Sequence, residues 1–370
     1  MWKILREEIR KTASRKIIWC GIVLVLAFVT FRMGIVLKEY SATIDGQTYI
    51  GKEGIKKDQE LAKDFAGPFT EEMVNAIHDR FGFYYYNEEK NEFVGNFWNE
   101  YITDKMTNTM ETNGDDPNEI KFVEGEEWEN NAAPLLKGDL RFDYLYGWED
   151  FRETMTLVTL LMLIILIIGM APVFSEEYTH HTADILLTTE HGKKKGIWLK
   201  TAAALITAAG TYCLVVLYMW LLYRVIFGTQ GLNASAVLLT GPSIFGYCPK
   251  TVSGFFLLMM GLGLAAVILL TALVLAVSSA SKNAFLSVVI SAAVFIIPYV
   301  WMKVIAPMNI FGVGFTKVIW HFMVSMPYYL QMNWGYAFTA DQIQLHIMIA
   351  VVTAFICVLL GYKKYRNYQG

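Results

Sequence analysis

The chain has 370 residues, of which 55% are hydrophobic and only 18% are charged. Several segments are too apolar to belong to a soluble globular protein, and the composition indicates an integral membrane protein. The formal net charge of -3 says little by itself, because acidic and basic residues are concentrated in different parts of the chain.

Six apolar stretches are long enough to cross a bilayer as helices, which takes about twenty residues each. They occupy residues 17–37, 151–174, 198–227, 253–280, 281–306 and 342–362. The first stretch is too long for a removable signal peptide, and no small-residue cleavage site follows it. The predicted fold class is an all-α integral membrane protein with six transmembrane helices.

Basic residues predict the orientation, because cytoplasmic loops are enriched in lysine and arginine. They cluster in residues 1–16, in the 175–197 loop, at Lys282 and in the 363–370 tail. These four segments lie on the same side of the membrane in the six-span topology. Both termini are therefore predicted to be cytoplasmic.

The segment of residues 38–150 lies outside in this topology and carries more than twice as many acidic as basic residues. We expect a mainly helical extracytoplasmic domain, with one helix from Thr70 to Arg80 that Gly82 stops. A second helical pattern follows, and its aromatic residues form either a small core or a ligand-binding face. These residues are Phe81, Phe83, Tyr84, Tyr85, Tyr86, Phe97, Trp98 and Tyr101.

Two further outer segments are predicted, at residues 228–252 and 307–341. The first reads as a loop. The second is apolar but is interrupted by Lys317, His321 and Pro327, so we expect re-entrant or interfacial helices there rather than a seventh span.

The polar loop of residues 175–197 contains the signals of one short amphipathic helix. Ser175 is a suitable N-cap, Gly192 stands just past the end, and three lysines follow it. Such a helix at the membrane surface would present hydroxyls, imidazoles and carboxylates to a cytoplasmic protein.

Catalytic and metal sites find little support in the sequence. His180 and Asp184 have helical i, i+4 spacing, but no second cluster completes a metal site. No phosphate-binding GxxxxGK[ST] motif is present, since the stretches from Gly246 and His191 lack its glycine spacing. We therefore expect no cofactor on this chain, no catalytic residue and no nucleic-acid partner.

The chain resembles the ABC-2 membrane family, the permease subunits of many bacterial ABC exporters. The topology agrees, and so does the local sequence where span two leads into span three. The matching residues are Phe174, Glu176, Glu177, Thr182, Leu186, Leu187, Thr188, Thr189, His191, Gly192 and Lys200. The long acidic outer segment departs from the compact members of that family.

This resemblance implies a multi-pass protein of a bacterial plasma membrane that exports peptides or amphipathic, drug-like molecules. Two permease chains, identical or different, would pair with two cytoplasmic ATPase subunits that bind ATP-Mg. Residues 1–16 would form an interfacial helix, and the 175–197 loop would be the coupling helix on which the ATPase docks. The implied docking residues are Glu176, Glu177, His180, Asp184, Thr188, Thr189 and His191.

Two other functions remain open at this point. One is a membrane-anchored sensor or immunity protein whose acidic domain binds an extracellular cationic ligand. The other is a membrane enzyme that uses His180 and Asp184.

Overall fold

The computed structural model describes most of the chain. The described residues are 1–106, 139–189, 192–240, 250–308, 310, 312–335 and 338–368. Six helices among them are long and apolar enough to cross a membrane, which confirms the prediction of a multi-pass, mainly helical membrane protein. They are Lys16–Glu39, Tyr146–Thr179, Gly192–Phe227, Val252–Ala280, Ala284–Met308 and Ala340–Arg366.

The N-terminal residues form a separate short helix, α1 (Trp2–Ala13), before the first span, α2 (Lys16–Glu39). Arg15 has an extended backbone that separates the two. Trp2 is 75% exposed, and Thr12 is buried. This arrangement is that of an amphipathic helix lying beside the bundle.

The described residues of the domain between the first two spans form three helices and several short strands. In chain order its described elements are β1 (Ser41–Ile44), β2 (Gln47–Ile50), α3 (Lys52–Phe65), β3 (Gly67–Pro68), α4 (Glu71–Phe81), β4 (Tyr85–Asn87), β5 (Glu92–Val94), α5 (Phe97–Met106) and β6 (Arg141–Phe142). The strands form three antiparallel pairs, β1–β2, β3–β6 and β4–β5. The sequence does not predict these strands, because strands this short leave no periodic pattern.

Helix α4 confirms the predicted capped helix. The Thr70 side chain accepts a hydrogen bond from the backbone N–H of Met73, and Gly82 ends the helix with φ 67°. Part of the predicted aromatic set forms a core, and part of it is exposed. Phe97 and Trp98 are buried in the core, whereas Tyr85 is 53% exposed.

The second span extends beyond its predicted end. Helix α6 (Tyr146–Met170) continues through Ala171 into α7 (Pro172–Thr179), and the short α8 (Thr182–Thr188) follows. Proline is tolerated at the first position of α7, because the N–H groups in the first turn of a helix have no partner within that helix. A π-helical turn (Gly192–Gly196) then leads into α9 (Ile197–Phe227).

The remaining described helices complete the bundle. They are α10 (Ala236–Thr240), α11 (Val252–Ala280), α12 (Ala284–Val300), α13 (Val313–Val324), α14 (Pro327–Leu330) and α15 (Ala340–Arg366). Helix α11 is central and packs against α6, α9, α12 and α15. Gly263 allows its close contact with α9, because a Cβ there would lie 2.0 Å from the Tyr212 hydroxyl.

Helix α13 covers the part of the interrupted apolar segment that contains Lys317 and His321, and it has only 12 residues. That length is about 18 Å, well short of the bilayer core. At the same end of the bundle, Arg32 is paired with Asp150 at 2.6 Å and with Glu153 at 3.1 Å.

Candidate functional site

The basic segments of the chain meet at one end of the bundle, which we call the basic end. Helix α1 packs against α9. The Tyr362 hydroxyl donates to the carbonyl of Lys193 at 3.4 Å, and the Thr179 hydroxyl to that of Lys282 at 3.4 Å. The N-terminal helix, the 193–195 lysines, Lys282 and the end of α15 are therefore neighbours.

The prediction of a single amphipathic helix in the 175–197 loop is wrong, because the structure has two separate helices there, α7 and α8. Ser175 lies inside α7, where its hydroxyl donates to the Ala171 carbonyl at 2.8 Å rather than capping a helix. His181 has φ 53°, in the left-handed region, and separates α7 from α8. Histidine is among the residues that adopt this conformation more often than most.

A buried ionic cluster holds the end of α7. Glu177 is 3% exposed, and its carboxylate accepts hydrogen bonds from the Lys200 ammonium and the Tyr365 hydroxyl. The Lys11 ammonium lies 3.2 Å from the same carboxylate. These contacts join α1, α7, α9 and α15 at one point, which we call the Glu177 cluster.

The surroundings of Lys200 explain why its ammonium group is paired with a carboxylate. Its ammonium lies 5.5 Å from the centre of the Phe174 ring and 6.0 Å from that of Tyr365. A charge among aromatic rings and away from water is stable only with a counter-ion and hydrogen bonds. Glu177 supplies both, so it is an internal structural group and does not belong to an exposed docking surface.

Its neighbour Glu176 is in a different environment. The Glu176 carboxylate is 2.9 Å from the Arg15 guanidinium, and its side chain is 45% exposed. This pair links α7 to the N-terminal segment while remaining open to solvent.

Helix α8 packs against the protein with one face, and its other face is exposed. Ala183 and Leu187 are buried, whereas Ile185 is 68% exposed and Leu186 is 40% exposed. Four of the predicted docking residues are also exposed, namely His180, Asp184, Thr188 and Thr189. We call these exposed residues, with Ile185 and Leu186, the docking surface.

Other predicted site residues fall differently. His191 lies outside the described residues. His180 and Asp184 no longer share one helix, because His181 breaks it between them. Within the described ranges, no group of three or more histidine, cysteine, aspartate or glutamate residues is arranged to hold a metal ion.

Sequence reasoning missed the partners of Glu177 and the two exposed apolar residues of α8. Lys200 is one of the residues that match the family motif, and Tyr365 falls in the 363–370 tail, but no local signal indicates that they meet. Ile185 and Leu186 could have been found from the loop itself, since they belong to a run of three large aliphatic residues, 185–187, that stands out in a polar segment.

Gly192 is required by a close backbone contact next to α8. A Cβ at this position would lie 1.7 Å from the Leu186 carbonyl oxygen and 2.7 Å from the Thr189 hydroxyl. We expect Gly192→Ala to displace the π-helical turn at a cost of about 1–3 kcal/mol. Trypsin cleavage after Lys193–Lys195 in the detergent-solubilised chain should then accelerate about tenfold, because cleavage follows local opening.

Gly210→Ala is the matched control, since no atom lies within 4 Å of a Cβ there. Equal cleavage rates in the two variants would contradict this role of Gly192.

The site thus consists of an exposed, partly apolar helix at the basic end and a buried ionic cluster that joins the adjoining helices. Residues of a single chain form both features. Comparison with protein-family models and with curated proteins found no match for it.

Proposed function

We propose that this chain is the transmembrane permease subunit of an ABC exporter, and that a separate ATPase docks on the docking surface. The observation that carries the proposal is α8, which exposes Ile185 and Leu186 at the basic end. Exposed aliphatic side chains next to polar groups are typical of a protein interface. The positive-inside rule supports a cytoplasmic location for this end.

The Glu177 cluster supports a route by which movement of the ATPase reaches the spans. Helix α8 follows α7, which is continuous with the second span. Through Glu177, α7 is bonded to Lys200 at the start of the third span and to Tyr365 at the end of the sixth. A displacement of α8 would therefore act on three spans together.

In this proposal the catalytic step takes place on the partner subunit. The ATPase subunit binds ATP-Mg and hydrolyses it, and this chain supplies the membrane passage together with a second permease chain. The cargo class, peptides or amphipathic drug-like molecules, follows from the family resemblance alone.

The test replaces an exposed residue of α8 with a charged one. Ile185→Asp should reduce co-purification of a Walker-motif ATPase from the native membrane, and the associated ATP hydrolysis, at least tenfold, because a carboxylate in a buried contact must be desolvated. Ile50→Asp is the control, since Ile50 is 65% exposed but lies in the β1–β2 hairpin of the inter-span domain. Equal losses in both variants would overturn the assignment of the interface.

A sensor that binds a cationic ligand is the second candidate, and the β4–β5 hairpin favours it. Tyr86 and Phe93 are paired across the strands, with ring centres 5.0 Å apart, and both are about half exposed. Glu88 and Glu89 lie exposed in the adjoining turn. Aromatic faces beside carboxylates suit a cation. Wild-type chain that purifies without any ATPase would favour this function over the exporter.

A further inference from the structure

A cavity opens at the basic end, apart from the docking surface. It measures about 910 Å³ and lies between the ends of α11 and α15, with Tyr178 of α7 on one side. This size is within the range of small-molecule sites. Its wall has a polar part, formed by Lys282, Lys363 and Lys364, and an apolar part.

The three lysines leave the polar part positively charged. All three are exposed, and within the described ranges none of them forms an ion pair. Helices α11 and α15 end here, and each helix C-terminus contributes about half a negative charge. About two positive charges therefore remain without a counter-ion from the described residues.

The apolar part runs from this charged rim along the spans. It is formed by Ala276, Val277 and Ala280 of α11 and by Leu360 of α15, which is 57% exposed. A ligand that fits both parts has an anionic head and an apolar tail. A soluble anion would leave the apolar wall uncovered.

We propose that this cavity binds one anionic phospholipid, with its phosphate among Lys282, Lys363 and Lys364 and an acyl chain along Val277 and Leu360. Basic pockets between membrane helices are suited to acidic lipid head groups. The site is independent of the ATPase proposal, since it uses no residue of the docking surface.

The experiment measures lipid binding to the purified full-length chain in detergent by native mass spectrometry. The probes are dioleoyl phosphatidylglycerol and dioleoyl phosphatidylcholine. The wild-type chain should retain one phosphatidylglycerol in preference to phosphatidylcholine. Because each lysine contributes a factor of about five towards an anionic lipid, K282Q/K363Q/K364Q should lower its affinity about a hundredfold.

The control is K193Q/K194Q/K195Q, which removes three exposed lysines at the same end that do not line the cavity. It should keep the phosphatidylglycerol affinity within about threefold. Equal losses in both triple variants, or equal retention of the two lipids by the wild type, would overturn the proposal. Displacement of phosphatidylglycerol by inorganic phosphate would overturn it too, since the site would then hold a free anion.

Discussion

Lys200→Met is expected to destabilise the folded chain by about 3–5 kcal/mol, because it leaves a buried carboxylate without its main counter-ion. Glu177 would keep only the Tyr365 hydroxyl and Lys11, whose side chain is 54% exposed. The loss should appear as a lower midpoint of denaturant unfolding in detergent, followed by circular dichroism.

Two variants test this explanation. Glu177→Gln combined with Lys200→Met should recover part of the stability, because the unpaired charge is gone. Glu176→Gln removes the solvent-open pair with Arg15 and should cost less than about 1 kcal/mol. If Lys200→Met and Glu176→Gln were equally mild, the cluster would have no structural importance.

The inter-span domain is expected to lose stability as the pH rises from about 4 to about 7. Burial raises the pKa of Asp58 from 3.8 to about 7, although hydrogen bonds from the Tyr40 hydroxyl and the Phe97 N–H oppose this shift. Between these pH values the folded domain holds a proton on Asp58 that the unfolded chain has released, so the stability contributed by Asp58 is greatest below pH 4, falls across this interval and is constant above it. The size is on the order of 4 kcal/mol.

Hydrogen exchange of the α3 amides between pH 4 and pH 8, corrected for intrinsic rates, measures this loss. Asp58→Asn should abolish the pH dependence, because an amide does not titrate. Asp64→Asn is the control in the same helix, since the Asp64 side chain is 56% exposed. A pH dependence that survives in Asp58→Asn would assign it to another group.

Features that depend on local composition could be predicted before the structure was known. The length of each apolar run predicts a span, because about twenty residues are needed to cross the hydrocarbon core. Thr70 and Gly82 predict the limits of α4, because capping is a contact between residues a few positions apart.

The construction of the site depends on contacts between residues that are far apart in the sequence. Glu177 and Tyr365 are 188 positions apart, and no local pattern shows that their side chains meet. The break at His181 depends on α7 continuing from the second span, which leaves Ser175 inside a helix instead of at its start. Glutamate in a polar loop is normally exposed, and Glu177 is buried because three other helices bring it a lysine, a tyrosine and a second lysine.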